Sequence, residues 1–232
     1  MEKNVHGGHR QRLKDRFLEE GMDGFTDIQA LELLLFYSVP RQDTNPIAHR
    51  LLEHFGSLSQ VLDAPVEELM CVSGIKEHSA VLLHLINEMG RRYLTDRAQQ
   101  EKVLPSIESC ARYLQPLFYG RTIEMVFLLC LDAKCKVISC KKIGEGNVNS
   151  TSISVRKLVE TALREGASAV VLGHNHPSGI AVPSPEDIET TLRVAEGLNS
   201  VDIRLADHIV VADDDYVSMV QSKYLPDIYP LQ

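Results

Sequence analysis

The sequence lacks any apolar run long enough to cross a bilayer. Even Val126-Phe127-Leu128-Leu129-Cys130-Leu131 is strand length, well short of the ~20 residues of a membrane helix. The N-terminus Met1-Glu2-Lys3-Asn4-Val5-His6 lacks the apolar core of a signal peptide. A cytoplasmic protein with no membrane partner is therefore expected. Its five cysteines include no C-x-x-C pair, and an odd count of this kind fits reduced thiols rather than a disulfide framework. Cys130, Cys135 and Cys140 are evenly spaced, but they fall on a predicted hairpin whose successive members alternate in facing, so they do not read as a second metal site. Positive charge is the minority, with 24 Lys and Arg against 32 Asp and Glu for a formal −8. That balance speaks against broad binding to phosphate backbones, which needs many cationic contacts. One basic cluster stands out, His9-Arg10-Gln11-Arg12-Leu13-Lys14-Asp15-Arg16; it reads equally as a local patch or as a solvated helix face. Repeats and low-complexity tracts are absent as well.

What is present begins with size. At 232 residues and 44% hydrophobic content, the chain can form one large domain or two small ones. Residues 1–95 read as all-helical. Asp27 precedes a stretch in which Ala30, Leu31, Leu34 and Leu35 make one apolar face. Asn45-Pro46 opens a helix through Ala48, Leu51, Leu52 and Phe55 that stops at Gly56. Shorter helices follow at 57–62 and after Pro65, and Val72-Ser73-Gly74-Ile75 turns into an amphipathic helix over 79–94. Residues 96–103 are polar without apolar periodicity and read as a linker. Residues 104–232 change texture. A helix through Ile107, Ala111 and Leu114 precedes strands at 124–131 and 135–143, joined at Asp132-Ala133-Lys134, with Gly144-Glu145-Gly146 breaking the second. A helix from Ser154 is closed by Gly166, and later strands are expected at 208–212 and 216–220. The fold class is α+β: a helical domain, then a mixed domain.

The most informative segment is Gly173-His174-Asn175-His176-Pro177-Ser178-Gly179, followed by Pro183-Ser184-Pro185-Glu186-Asp187. The apolar, partly β-branched run before it predicts a buried strand that ends at the histidines. Residues two apart in extended chain point the same way, so both imidazoles can converge on one ion. Asp187 offers a third ligand. Two neutral imidazoles and one carboxylate leave a divalent ion with positive charge and an open position, the arrangement that polarises a bound water. Ser184-Pro185-Glu186-Asp187 is also a good capping box before residues 188–195. The two roles can coexist, because a helix's first turn can face the end of the preceding strand.

Hydrolysis by such a site needs a base. Glu124, Glu145, Glu160, Glu165, Glu186 and Glu189 are the candidates. Glu124 differs from the rest because it heads an otherwise apolar strand, where an acid is out of character unless it faces a cleft. Ser184 can donate to an oxyanion, and Asn175, between the histidines, reads as fixing the loop.

The combination of Glu124, His174-x-His176-Pro177 and Ser184-x-x-Asp187 resembles the JAMM (MPN+) metalloprotease signature. Together with Leu205-Ala206-Asp207-His208-Ile209 and the Arg156-Lys157 helix, it resembles the bacterial RadC family over nearly the whole chain. The resemblance implies Zn2+ held by His174, His176 and Asp187, with Glu124 as general base and Ser184 as oxyanion donor. It implies a zinc-dependent metallopeptidase or isopeptidase whose catalytic domain is JAMM/cytidine-deaminase-like, with a mixed curved sheet. The N-terminal part resembles the helix-hairpin-helix region of the same family, a module used on DNA backbone. Val72-Ser73-Gly74-Ile75-Lys76 places Lys76 where the second hairpin glycine usually stands, and Ser38-Val39-Pro40-Arg41-Gln42-Asp43 has no glycine. Glycines there let backbone N–H groups approach phosphate. The alternative reading is a DNA-associated repair or mobile-element protein with a docking or nuclease role. One metal with one acidic ligand speaks against two-metal phosphodiester chemistry.

Overall fold

Capping chemistry sets the helix boundaries of the N-terminal unit. In the computed structural model, which describes residues 8–146 and 154–225, the chain divides into units Met1–Gly90 and Arg91–Gln232. The first contains α1 (His9–Glu20), α2 (Asp27–Leu35), α3 (Asn45–Phe55), α4 (Leu58–Asp63), α5 (Val66–Leu69) and most of α6 (Glu77–Ala98). Thr26, not Asp27, caps α2, because its hydroxyl and Gln29 form a reciprocal capping box. Gly56 ends α3 at φ 93°, a conformation glycine adopts without strain. Leu31, Leu35, Ala48, Leu51, Val61, Leu69 and Leu83 are fully buried in one cluster. The apolar face expected on α2 forms, with Leu31 and Leu35 in the main cluster and half-buried Leu34 packed against it. A second face was not expected: Leu33 packs with Leu13 and Phe36 against α1. Much of the basic cluster on α1 is engaged internally. Arg10 donates to the carbonyls of Phe36, Val39 and Gln42, and Arg16 to that of Gly24. The last turn of α6 runs through Ala98, so the polar segment 96–103 begins as helix.

The second unit continues with α7 (Ile107–Leu114), a 3-10 turn (Gln115–Phe118), β1 (Met125–Leu131), β2 (Val137–Glu145), α8 (Val155–Glu165), β3 (Ala169–Asn175), α9 (Pro185–Asn199), β4 (Arg204–Ala212) and β5 (Asp215–Ser218). The sheet order is β2-β1-β3-β4-β5. β3 runs antiparallel to β1 and parallel to β4, and the outer pairs are antiparallel. The sheet is therefore mixed. Alternate residues of β1 and β3 serve opposite faces, as strand geometry dictates. Leu129, Leu131 and Val171 pack with α7 and its 3-10 turn, whereas Val126, Leu128, Val170 and Leu172 pack under α8 and α9. β3 is buried along its whole length, which explains its unbroken apolar sequence. At Gly173 an added Cβ would lie 3.1 Å from Leu114 Cδ1, so the glycine lets α7 press close beneath the strand.

Strand boundaries differ from the sequence expectation at β1, which starts at Met125 rather than 124, at β4, which starts at Arg204 rather than 208, at β5, which spans Asp215–Ser218 rather than 216–220, and at both ends of β2. β2 starts at Val137 rather than Cys135, because the Asp132 carboxylate takes the N–H groups of Lys134 and Lys136 and holds Cys135 in the turn at φ 58°. The strand also runs through Gly144 to Glu145, paired with Val126 and Met125, instead of breaking there. No helix among the described residues is long and apolar enough to cross a membrane.

Candidate metal centre

The carboxyl end of β3 carries the two histidines on backbone whose register is fixed from both sides. His174 pairs with Val126 of β1 and Val210 of β4. His176, one residue past the strand, still donates its N–H to the Val211 carbonyl at 2.8 Å. Both imidazoles face α9, whose first turn supplies Asp187. Ser184 is the N-cap and Pro185 opens the helix, with the reciprocal capping box complete. The cap and the carboxylate are thus one device. Asp187 Oδ2 accepts from the Ser184 N–H at 2.8 Å and from its hydroxyl at 2.7 Å, and the same hydroxyl accepts from the Asp187 N–H at 3.1 Å.

Donor atoms of His174, His176 and Asp187 lie within 4.8 Å of one another, the only such His/Cys/Asp/Glu group among the described residues. The two imidazole Nε2 atoms are 2.9 Å apart, and each is 3.4 Å from an Asp187 carboxylate oxygen. His176 Nδ1 lies 3.0 Å from the Ile180 carbonyl. A carbonyl can only accept, so Nδ1 carries the proton in the neutral ring and Nε2 presents its lone pair inward. A cation among them would relieve the repulsion of lone pairs that face each other this closely. A divalent ion fits that donor set.

The electrostatics of the cluster favour positive charge at this point. Burial by itself would raise the Asp187 pKa, but the closeness of His174 and His176 outweighs that, and the carboxyl is held well below its ordinary range. His176 is shifted upward, chiefly by the neighbouring Asp187 carboxylate and against its burial, with the Glu124 charge adding to the effect. His208 is driven well below its ordinary value by burial.

Glu124 stands just ahead of β1, half-buried. Extending the register in which Val126 pairs with His174 sets Glu124 across from His176. Its flanks are clamped by Asn175, which points to the opposite side of β3 from the histidines. The Asn175 carboxamide accepts from the Met125 N–H at 2.7 Å and donates to the Ile123 carbonyl at 3.1 Å. The Glu124 carbonyl accepts from the Gly146 N–H at 2.9 Å. The other candidate acids are elsewhere engaged or exposed. Glu145 is bonded to Lys142 at 2.8 Å, Glu160 to Arg156 at 2.7 Å, Glu165 pairs with Lys141 at 3.6 Å, and Glu186 and Glu189 are exposed on α9.

A family profile described as a RadC-like JAB domain matches residues 104–224, and Glu124, His174, His176, Ser184 and Asp187 all fall inside that span. This chain belongs to the RadC family. It is similar to UPF0758 protein FN0909 of Fusobacterium nucleatum, with 30% identity over 228 residues covering 95% of this chain and 98% of the relative. It is also similar to UPF0758 protein SPO0054 of Ruegeria pomeroyi, with 34% identity over 217 residues covering 94% and 97%. The RadC-type domain relates the chain to the JAMM metallohydrolases, and the His-His-Asp cluster could hold a metal ion.

Reading the residues one by one left His208 and Thr191 without a role. His208 Nε2 is 2.7 Å from His174 Nδ1, and His208 Nδ1 is 2.6 Å from the Thr191 hydroxyl. A signal for them existed. Asp207-His208 interrupts an otherwise apolar strand, and Thr191 follows Asp187 by one helical turn.

Proposed function

We propose that this chain is a zinc-dependent hydrolase of peptide or isopeptide bonds, with His174, His176 and Asp187 holding the ion and residues 104–232 forming the catalytic part. The convergence of three lone-pair donors at the end of a registered strand carries this reading. Zinc bound there supplies Lewis acidity toward a carbonyl and toward water. The protein's own groups do the rest. Glu124, across from His176, accepts the proton of the attacking water and returns it to the leaving amine. Asp187 Oδ2 already receives the Ser184 N–H, so the Ser184 hydroxyl proton can turn from Asp187 to the oxyanion of the tetrahedral species. One carboxylate and one hydroxyl thus divide proton transfer and charge stabilisation between them.

The test is metal content followed by trapping. Purified protein should carry one zinc per chain, His176→Ala should lose it, and Glu124→Gln should keep it. A polypeptide retained by Glu124→Gln, cleaved by the native chain and released by His176→Ala would identify the substrate. Native protein without stoichiometric zinc, or His176→Ala with unchanged metal, overturns the proposal. Retained nucleic acid would select the DNA-associated reading instead.

A further inference from the structure

We infer that His208 and Thr191 form a positioning pair that dictates which nitrogen of His174 faces the ion and ties that imidazole to Asp187. The inference rests on the metal reading above and adds two residues to it. The direction of every proton in the chain follows from one fixed end. The Thr191 hydroxyl lies 2.5 Å from the Asp187 main-chain carbonyl, which can only accept, and 3.7 Å from the weaker acceptor Met219 Sδ, so the single hydroxyl proton goes to the carbonyl. The hydroxyl oxygen must then accept from His208 Nδ1 at 2.6 Å. His208 is 1% exposed, and in the neutral ring a proton on Nδ1 leaves Nε2 bare. Bare Nε2 accepts from His174 Nδ1 at 2.7 Å. His174 Nε2 is therefore left as a lone pair aimed at the Nε2 of His176 and the carboxylate of Asp187.

Metal-binding histidines usually donate their second N–H to a carboxylate, a carbonyl or water. Here the acceptor is a buried neutral imidazole, which orients His174 without adding negative charge behind it. The relay also closes on itself. It begins at a ligand on β3, crosses β4, and ends at the backbone of a ligand on α9, so the two ligands are placed relative to each other by hydrogen bonds rather than by packing alone. Loss of the Thr191 hydroxyl would release His208 to carry its proton on Nε2, where it would oppose the His174 Nδ1–H. Relief of that conflict moves the His174 proton to Nε2 and blocks the ligand position.

Zinc affinity measured by chelator competition separates the possibilities. Thr191→Val, nearly equal in shape, should weaken zinc binding by about 10-fold or more, within the range typical of such supporting partners. Thr191→Ser should restore most of it. His208→Gln, whose amide oxygen can accept from His174 Nδ1, should bind better than His208→Leu. A nitrogen-15 ring spectrum of the zinc-loaded native protein should show the His208 proton on Nδ1. Denaturation midpoints of the four variants identify any that fail to fold. The pair is refuted if Thr191→Val binds zinc as the native chain does, if valine and serine weaken it equally, or if the His208 proton resides on Nε2. Native protein that binds no zinc would overturn the metal reading itself, an outcome distinct from these.

Discussion

Asn175→Ala offers a test of how Glu124 is held that needs no knowledge of the substrate. The Met125 N–H that Asn175 receives at 2.7 Å belongs to a residue 2% exposed, so removing the carboxamide leaves a buried donor without its partner, a loss of about 1–3 kcal/mol. The Ile123 carbonyl bonded at 3.1 Å belongs to a residue 48% exposed. Water can reach it, and its loss adds only a few tenths of a kcal/mol. The expected total is about 1–3 kcal/mol, a fall in Tm of several degrees for a unit of this size. The chain has no tryptophan, so the assay is urea denaturation followed by circular dichroism, with the transition of the C-terminal unit fitted separately. Zinc content should not change, because Asn175 faces away from the histidines, whereas turnover of any identified substrate should fall as Glu124 loses its fixed position. A stability change below about 0.5 kcal/mol, the size of an ordinary surface substitution, would refute the clamp. Loss of zinc would refute its independence from the metal cluster.

Two further outcomes follow from buried groups in the same unit. Asp207 is 0% exposed, and burial pushes its carboxyl up to about 6 despite its bonds from Ser218, Val220 and His208. The folded chain then holds a proton that the unfolded chain releases, so this group's stabilisation is complete below pH 4 and lost as pH rises through 6, about 3 kcal/mol in all. Asp207→Asn should flatten that slope and match or exceed native stability at pH 7.5; an unchanged slope in pH-dependent denaturation would contradict it. Gly197→Ala should destabilise α9 against α8, because the new Cβ would lie 2.8 Å from Val155 Cγ1 on a side chain with little rotamer freedom. Overpacking of about 1–3 kcal/mol exceeds the gain of about 1 kcal/mol in helix propensity, and a rise in the denaturation midpoint would show that α8 simply moves.

Much of the site was legible because its signals are local. The alternation of His174 and His176 at a strand end, and the cap formed by Ser184 and Asp187, depend on residues within a few positions of one another, where strand and helix periodicity fix direction. Glu124 was legible only as an oddity, an acid before an apolar strand. Its position opposite His176 depends on the pairing of β1 (Met125–Leu131) with β3 (Ala169–Asn175), strands far apart in sequence that no local pattern aligns. The misses differ in origin. The second apolar contact of α2, at Leu33, was missed because the helix is packed on two sides, and the Cys135 boundary because a local carboxylate, Asp132, extends the turn.

The sequence by itself determined the His, His and Asp of the cluster, the spacing of the histidines, the capped helix start and the order of elements, since these follow from backbone geometry and the chemistry of neighbouring side chains. Only the tertiary structure decided which acid lies near His176, what clamps it, and which partners each imidazole nitrogen meets. Those depend on the registers of β1 and β4 against β3, which bring Asn175 to the backbone of β1 and His208 to His174 across strands the sequence does not align. Hydrogen-bond direction is a property of such closed networks, and it exists only once the last partner, the Asp187 carbonyl behind Thr191, is in place.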